Sequence, residues 1–177
     1  MKSFSDNRQR FVKKERGERT TTHKDVERAF EMYSDMIYRI CFMYFKGNRY
    51  DIEDAVSAVF LKYMEHGTLF ENQEHEKAWL IVAARNICKN MCRHWWRRNE
   101  SLEDHTSECS DEDIYSDELL ELVLDLPEKQ KMCIYLFYYE GYSCKEIGDI
   151  LGIRENAVYA NLNKGRNRLK ELIEAEG

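Results

Sequence analysis

Residues 142–173 read YSCKEIGDILGIRENAVYANLNKGRNRLKELI, and this stretch decides the fold. Ile147, Ile150 and Leu151 are apolar at helical spacing, Gly152 interrupts the pattern, and Ile153 follows. A longer periodic run then puts Val158, Leu162 and Leu169 on one stripe. A short helix, a glycine turn and a longer helix make a helix-turn-helix. Ser143 and Glu146 stand in capping-box spacing at the first helix start. Gly148 and Ala157 are small at positions where two steeply crossing helices would nearly touch. The outer face of the second helix carries Arg154, Asn156, Tyr159, Asn161, Asn163, Lys164, Arg166 and Arg168. Such side chains read base edges and hold phosphates. The glycine turn and the Asn/Arg face together favour duplex contact over a merely solvated basic face.

Working outward, the chain has 177 residues and a net charge of −6, an acidic balance that on its own argues against nucleic acid. The distribution of charge reverses that argument. Arg85, Lys89, Arg93, Arg97 and Arg98 fall in one run without an acid, while 99–125 holds eleven acids and no Lys or Arg. Opposite blocks cancel in the sum and hide a basic face. Six cysteines lack the paired spacing of a disulfide framework and read as reduced thiols of a cytosolic protein. No apolar run reaches the roughly 18 residues of a membrane span, and no signal-type segment opens the chain. With one proline, eight glycines and long 3.6-residue periodicity, the fold class is all-α.

Residues 1–23 are polar and mostly basic and read as a flexible arm. From Lys24 to Phe45 the stripe is Phe30, Tyr33, Ile37, Ile40, Cys41 and Tyr44, with Gly47 as helix stop. Asp51 is the expected cap of the next helix, whose inner face is Ile52, Val56, Val59, Phe60 and Tyr63 and which Gly67 closes. Its opposite face carries Asp51, Glu53, Asp54 and Ser57. A third helix is expected from about Glu74 to Trp96 on a stripe of Leu80, Ala84, Ile87, Cys88, Met91 and Trp95. Its second half interleaves cations with Asn86, Asn90, His94, Trp95 and Trp96, and aromatic faces there can stack on unpaired bases. Residues 99–116 are acidic and Ser-rich, an expected flexible linker. A second domain over 117–177 then starts with a short helix bearing Leu119, Leu122, Val123 and Leu126. Pro127 is placed in the first turn of the following helix. Tyr135, Phe137, Tyr138, Tyr139 and Tyr142 are expected to fill the small core.

Three segments in this order carry a resemblance. DIEDAVSAVFLKYM and KAWLIVAARNICKNMCRHWWRR are similar to successive helices of region 2 of the bacterial sigma-70 family, including Ala84-Arg85-Asn86. LPEKQKMCIYLFYYEGYSCKEIGDILGIRENAVYANLNKGRNRLKEL resembles region 4. The chain resembles the compact extracytoplasmic-function type, which has these two regions only. The resemblance implies a cytoplasmic transcription factor without enzymatic activity, cofactor, small-molecule substrate or membrane insertion. It implies region 2 over 24–98 and region 4 over 117–177. Core RNA polymerase would be met by Asp51, Glu53 and Asp54. The minus-10 element would be read and melted by the loop from Gly67 to Lys77 and by Asn86, Lys89, Asn90, Arg93 and Trp96. The minus-35 element of promoter DNA would be read by Arg154, Asn156, Tyr159, Asn163, Lys164 and Arg166, with Lys145 crossing the backbone. An anti-sigma factor is a further partner that the resemblance admits. The chain departs from the family at Ser57-Ala58, where many members have Gln-Glu in the polymerase contact, and at Tyr159 and Asn161, where many have Lys and Arg. The last two departures imply a shallower salt dependence.

Two other readings are weaker. A stand-alone helix-turn-helix repressor leaves the acidic second helix and the Trp-rich basic third helix without a role. A metal or redox sensor built on Cys88, Cys92 and His94 lacks a further ligand, and Cys88 belongs to the apolar stripe. No nucleophile–base constellation or phosphate loop points to catalysis.

Overall fold

The structure is a computed structural model that describes residues 22–46, 48–67, 70–99 and 122–176. Every regular element among the described residues is an α-helix. The helices fall into two units, one made of α1 (His23–Phe45), α2 (Arg49–His66) and α3 (Gln73–Asn99), the other of α4 (Glu128–Tyr138), α5 (Cys144–Leu151) and α6 (Glu155–Glu176). The expected basic arm, the acidic linker, Leu119 and the Gly47 stop lie outside the described residues.

In the first unit all three helices pack on one another. α1 starts where the Asp25 carboxylate accepts from the Thr22 N–H (2.9 Å) and hydroxyl (2.6 Å). It ends at Lys46, which itself takes the left-handed conformation at φ 48°. The α2 cap differs from the expectation. Asn48 is the N-cap, its side-chain oxygen accepting the Asp51 N–H at 3.4 Å, so Asp51 sits one turn inside the helix. Asn and Asp cap equally well, and these two lie three residues apart. Tyr33, Ile37, Ile40 and Cys41 of the α1 stripe are buried as expected, and Ala29, Met36 and Met43 join them. Phe30 is half exposed and rests on Phe60 at a ring separation of 4.9 Å. Ile52, Ala55, Val59, Phe60 and Tyr63 come from α2, and Leu80, Ile81, Ala84 and Cys88 from α3. Trp95 stands in register with Ala84 and Cys88 but is 44% exposed, because cover on that stripe fades beyond Cys88.

In the second unit α4 and α5 pack on α6. Pro127 takes the N-cap position, one place earlier than expected, and its carbonyl accepts from Gln130 (2.8 Å) and Lys131 (3.1 Å). Lys131 is buried and donates to the Leu124 carbonyl at 3.1 Å. The capping box of α5 is formed, and Gly152 ends that helix at φ 69°. The core is mainly aliphatic: Leu122, Val123, Leu126, Met132, Ile134, Leu136, Ile147, Ile150, Leu151, Val158 and Leu162. Of the five aromatics expected inside, Tyr135 and Tyr142 are buried, while Tyr138 and Tyr139 are each 55% exposed. They close the C-terminal end of α4, where a phenol keeps its O–H in water.

Candidate nucleic-acid interface

The helix-turn-helix presents one polar face. Asn156, Tyr159, Asn163 and Arg166 recur at helical spacing on α6, flanking the stripe of buried Val158 and Leu162, and all four are exposed. Lys164 is exposed on one flank. Arg154 is exposed in the turn, and its carbonyl accepts the Ala157 N–H (2.8 Å) and the Val158 N–H (3.2 Å). Arg154 therefore directly precedes the first turn of α6. Lys145 is exposed in the first turn of α5. Asn161 leaves the outer face: it is half-buried and its amide donates back to the Ala157 carbonyl at 2.7 Å. The Tyr159 hydroxyl lies near Cys144, whose charge and hydrogen bond push the phenol upward in pKa. Arg166 donates through Nη2 to Asn163 Oδ1 and stands 3.5 Å through Nη1 from the Tyr138 hydroxyl.

On α3, Asn86, Asn90 and Arg93 form an exposed stripe opposite Ala84 and Cys88, with Lys89 half-buried on its flank. Arg93 Nη2 donates to Asn90 Oδ1 at 2.6 Å. The Trp96 side chain lies outside the described residues. The adjoining loop is anchored by Phe70, which stacks on His66 (5.3 Å) and on Tyr63 (5.8 Å) and packs against Trp79 (5.6 Å). On α2, Glu53 and Asp54 are exposed and Asp51 is half-buried. Burial pushes the Asp51 carboxyl upward, and the charge of Asp54 adds to that. Glu53 is held by Arg49 Nε at 2.8 Å. Of the thiols weighed for metal, Cys88 is fully buried and Cys92 half-buried.

A charged cluster that no local pattern announced joins the helices of the first unit. Glu76, in the first turn of α3, is 3% exposed. Arg28 of α1 grips its carboxylate with both terminal nitrogens, at 2.6 and 3.1 Å. The hydroxyls of Tyr63 (2.5 Å) and Tyr33 (3.3 Å) also donate to it. Burial pushes this carboxyl upward; the hydrogen bonds from Arg28, Tyr63 and Tyr33 together outweigh it and hold the pKa below the usual value. One carboxylate thus ties α1 and α2 to α3.

Comparison with known proteins accords with this arrangement. Residues 29–98 match the family model described as Sigma-70 region 2, and residues 116–169 the one described as Sigma-70, region 4. The chain belongs to the sigma-70 family. Its relatives include the ECF RNA polymerase sigma factor SigE of Mycolicibacterium smegmatis, 28% identical over 152 residues, covering 80% of this chain and 58% of that protein. SigZ of Bacillus subtilis is 26% identical over 129 residues, covering 70% of this chain and 73% of that one. BldN of Streptomyces coelicolor is 28% identical over 146 residues, covering 74% of this chain and 53% of that one. The chain thus spans little more than half the length of two of these relatives. The fold is that of the sigma factor RpoE solved with the anti-sigma factor NepR from Bartonella quintana, at TM-score 0.68 and 20% identity over 87% of this chain and 99% of that one. CnrH, solved with the cytosolic domain of CnrY, gives TM-score 0.63 at 16% identity over 88% of this chain and 92% of that one. As a sigma-70 family member of the extracytoplasmic-function type, the chain has its helix-turn-helix in region 4 and its three-helix unit in region 2. No helix among the described residues is long and apolar enough to cross a membrane.

Proposed function

We propose that this chain is a cytoplasmic sigma subunit that binds core RNA polymerase and directs promoter-specific initiation without catalysing a reaction itself. The observation that carries the proposal is the α6 face on which Asn156, Tyr159, Asn163 and Arg166 are exposed together. That face enters the major groove of the minus-35 element, with Lys145, Arg154 and Lys164 on the adjoining phosphates. Asn86, Lys89, Asn90, Arg93 and Trp96 read and hold the melted minus-10 strand. Asp51, Glu53 and Asp54 meet the polymerase. The proposed boundaries are 24–98 for region 2, 99–116 for the linker and 117–177 for region 4, with 1–23 as an arm. The Bartonella neighbour was solved with an anti-sigma factor, and an inhibitor of that class is a proposed partner here.

The test is run-off transcription with core polymerase on fragmented genomic DNA. Discrete starts that depend on this protein and share two upstream elements support the proposal. Absence of starts, with tight duplex binding by the protein alone, would favour a repressor instead.

Two substitutions separate the surfaces. Arg166→Ala is expected to weaken promoter binding by about 1–3 kcal/mol, and Lys164→Ala to lower the salt slope by about one. Both should leave affinity for core polymerase unchanged in a pull-down titration. Asp54→Arg is expected to do the reverse, because a cation placed where an anion faces the partner costs several kcal/mol. Retained core binding by Asp54→Arg would remove α2 from the polymerase contact.

A further inference from the structure

We propose that Tyr138, which lies outside the helix-turn-helix, is a positioning residue for minus-35 recognition: it holds the Arg166 guanidinium in the orientation that meets DNA. The inference rests on the region 4 reading above and names a residue that reading does not use. Tyr138 is the last residue of α4, 28 positions before Arg166 in sequence. Its hydroxyl oxygen stands 3.5 Å from Arg166 Nη1, while Arg166 Nη2 donates to Asn163 Oδ1. The two terminal nitrogens of one guanidinium are therefore steadied by different helices, α4 on one side and α6 on the other. A guanidinium carries five N–H donors in a fixed fork. Two are directed at Tyr138 and Asn163, and three remain for phosphate oxygens or a guanine edge.

Burial in the core does not explain the position of this ring. Tyr138 is 55% exposed, and Tyr135 and Tyr142 supply the buried phenols of the same unit. What the hydroxyl does is restrict an arginine on the exposed face of α6. A long side chain that is free in solution loses its rotamer freedom when it docks. Arranging it beforehand is worth about two- to tenfold in affinity.

The experiment uses full-length protein in holoenzyme with core polymerase. The probe is a fluorescent duplex carrying the upstream element of the strongest start found by genomic run-off transcription. Tyr138→Phe keeps the ring and removes only the oxygen. It is expected to weaken duplex binding two- to tenfold without lowering the melting temperature of the region 4 unit. In an Arg166→Ala background the same substitution should cost nothing further, since the residue it positions is gone. A loss of undiminished size in that background overturns positioning, whether it arises from an independent DNA contact or from impaired folding. Wild-type binding by Tyr138→Phe, with Arg166→Ala clearly weakened, overturns this inference and leaves the region 4 reading standing. If Arg166→Ala itself binds like wild type, the reading on which the inference rests has failed.

Discussion

Arg28→Ala is expected to destabilise the region 2 unit by about 3–5 kcal/mol at neutral pH, the usual cost of removing one partner from a buried ion pair. The two partners are unequally placed. The Arg28 side chain is 44% exposed, whereas the Glu76 side chain is 5% exposed. Removing the arginine therefore leaves a carboxylate that water hardly reaches without its countercharge, held only by the Tyr63 and Tyr33 hydroxyls. A unit of roughly 80 residues has about 4–12 kcal/mol of stability in total, so the loss is a large share. Its melting temperature should fall by roughly 15–30 °C.

The response to pH should also change sign. In the wild type Glu76 is held below its usual pKa. Its contribution is fully present above the unfolded glutamate value near about 4.3 and is lost as pH falls through the folded value. Without Arg28 two of the influences that lower this carboxyl are lost, the hydrogen bond and the charge, while burial, the largest single influence, still raises it; its pKa is expected to rise above the unfolded value. The penalty is then absent below the unfolded pKa, grows as pH rises from there to the folded one and is fully present above it. Tyr33, pushed up to about 12 by burial and the nearby carboxylate, remains a neutral donor throughout. Thermal unfolding at pH 8 and pH 5 therefore checks both statements. The deficit of Arg28→Ala should be large at pH 8 and smaller at pH 5. Adding Glu76→Gln, which removes the buried charge, should recover at least half of it at pH 8. A deficit of only a few degrees at pH 8 would mean that water already compensates the carboxylate, and the network would lose its structural role.

This network also shows where reading the sequence stops. Helical periodicity locates the buried stripes because each depends on residues three and four apart, and the α5 capping box and the Gly152 turn are equally local. Glu53, Asp54, Asn86, Asn90, Arg93, Asn156, Tyr159, Asn163 and Arg166 are exposed for the same reason, whereas Asp51 and Lys89, nearer the buried stripes, are half-buried. Glu76 meets Tyr63, Tyr33 and Arg28 across 13, 43 and 48 residues. Nothing in its neighbourhood distinguishes it from the solvated Glu74 beside it. The cap of α2 was ambiguous because Asn48 and Asp51 are both competent and three residues apart. Tyr138 was misplaced because hydrophobicity does not separate a core phenol from one whose hydroxyl has a surface partner. Asn161 left the outer face because an amide on a helix flank can turn back to the carbonyl four residues earlier.

Gly148→Ala is expected to destabilise region 4, although alanine in a helix interior is normally better than glycine by about 1 kcal/mol. The reason is the closeness of the turn. A Cβ at 148 would lie 2.8 Å from the Ile153 carbonyl oxygen, 3.5 Å from Glu155 N and 3.7 Å from the Arg154 carbonyl carbon. These are backbone atoms. They cannot swing away as a side-chain tip would, and the Ile153 N–H is tied to the Gly148 carbonyl at 2.9 Å. Relieving the clash must move the turn, and with it Arg154 and the start of α6. Overpacking of this kind costs about 1–3 kcal/mol, against a total of about 3–8 kcal/mol for a unit of roughly 55 residues. Gly165 supplies the contrast, because a Cβ there would meet the Ile134 side chain at 3.2 and 3.4 Å. That side chain can shift by a few tenths of an ångström, so Gly165→Ala should stay within about 0.5 kcal/mol of wild type once the helix gain is included. Thermal unfolding of both variants, alongside duplex binding by the holoenzyme, tests the pair. Gly148→Ala should melt lower and bind the minus-35 duplex more weakly while keeping its affinity for core polymerase, since the proposed contact on α2 belongs to the other unit. A Gly148→Ala protein that melts at or above wild type would show that the turn yields freely, and the close approach would not be what sets the α5–α6 geometry.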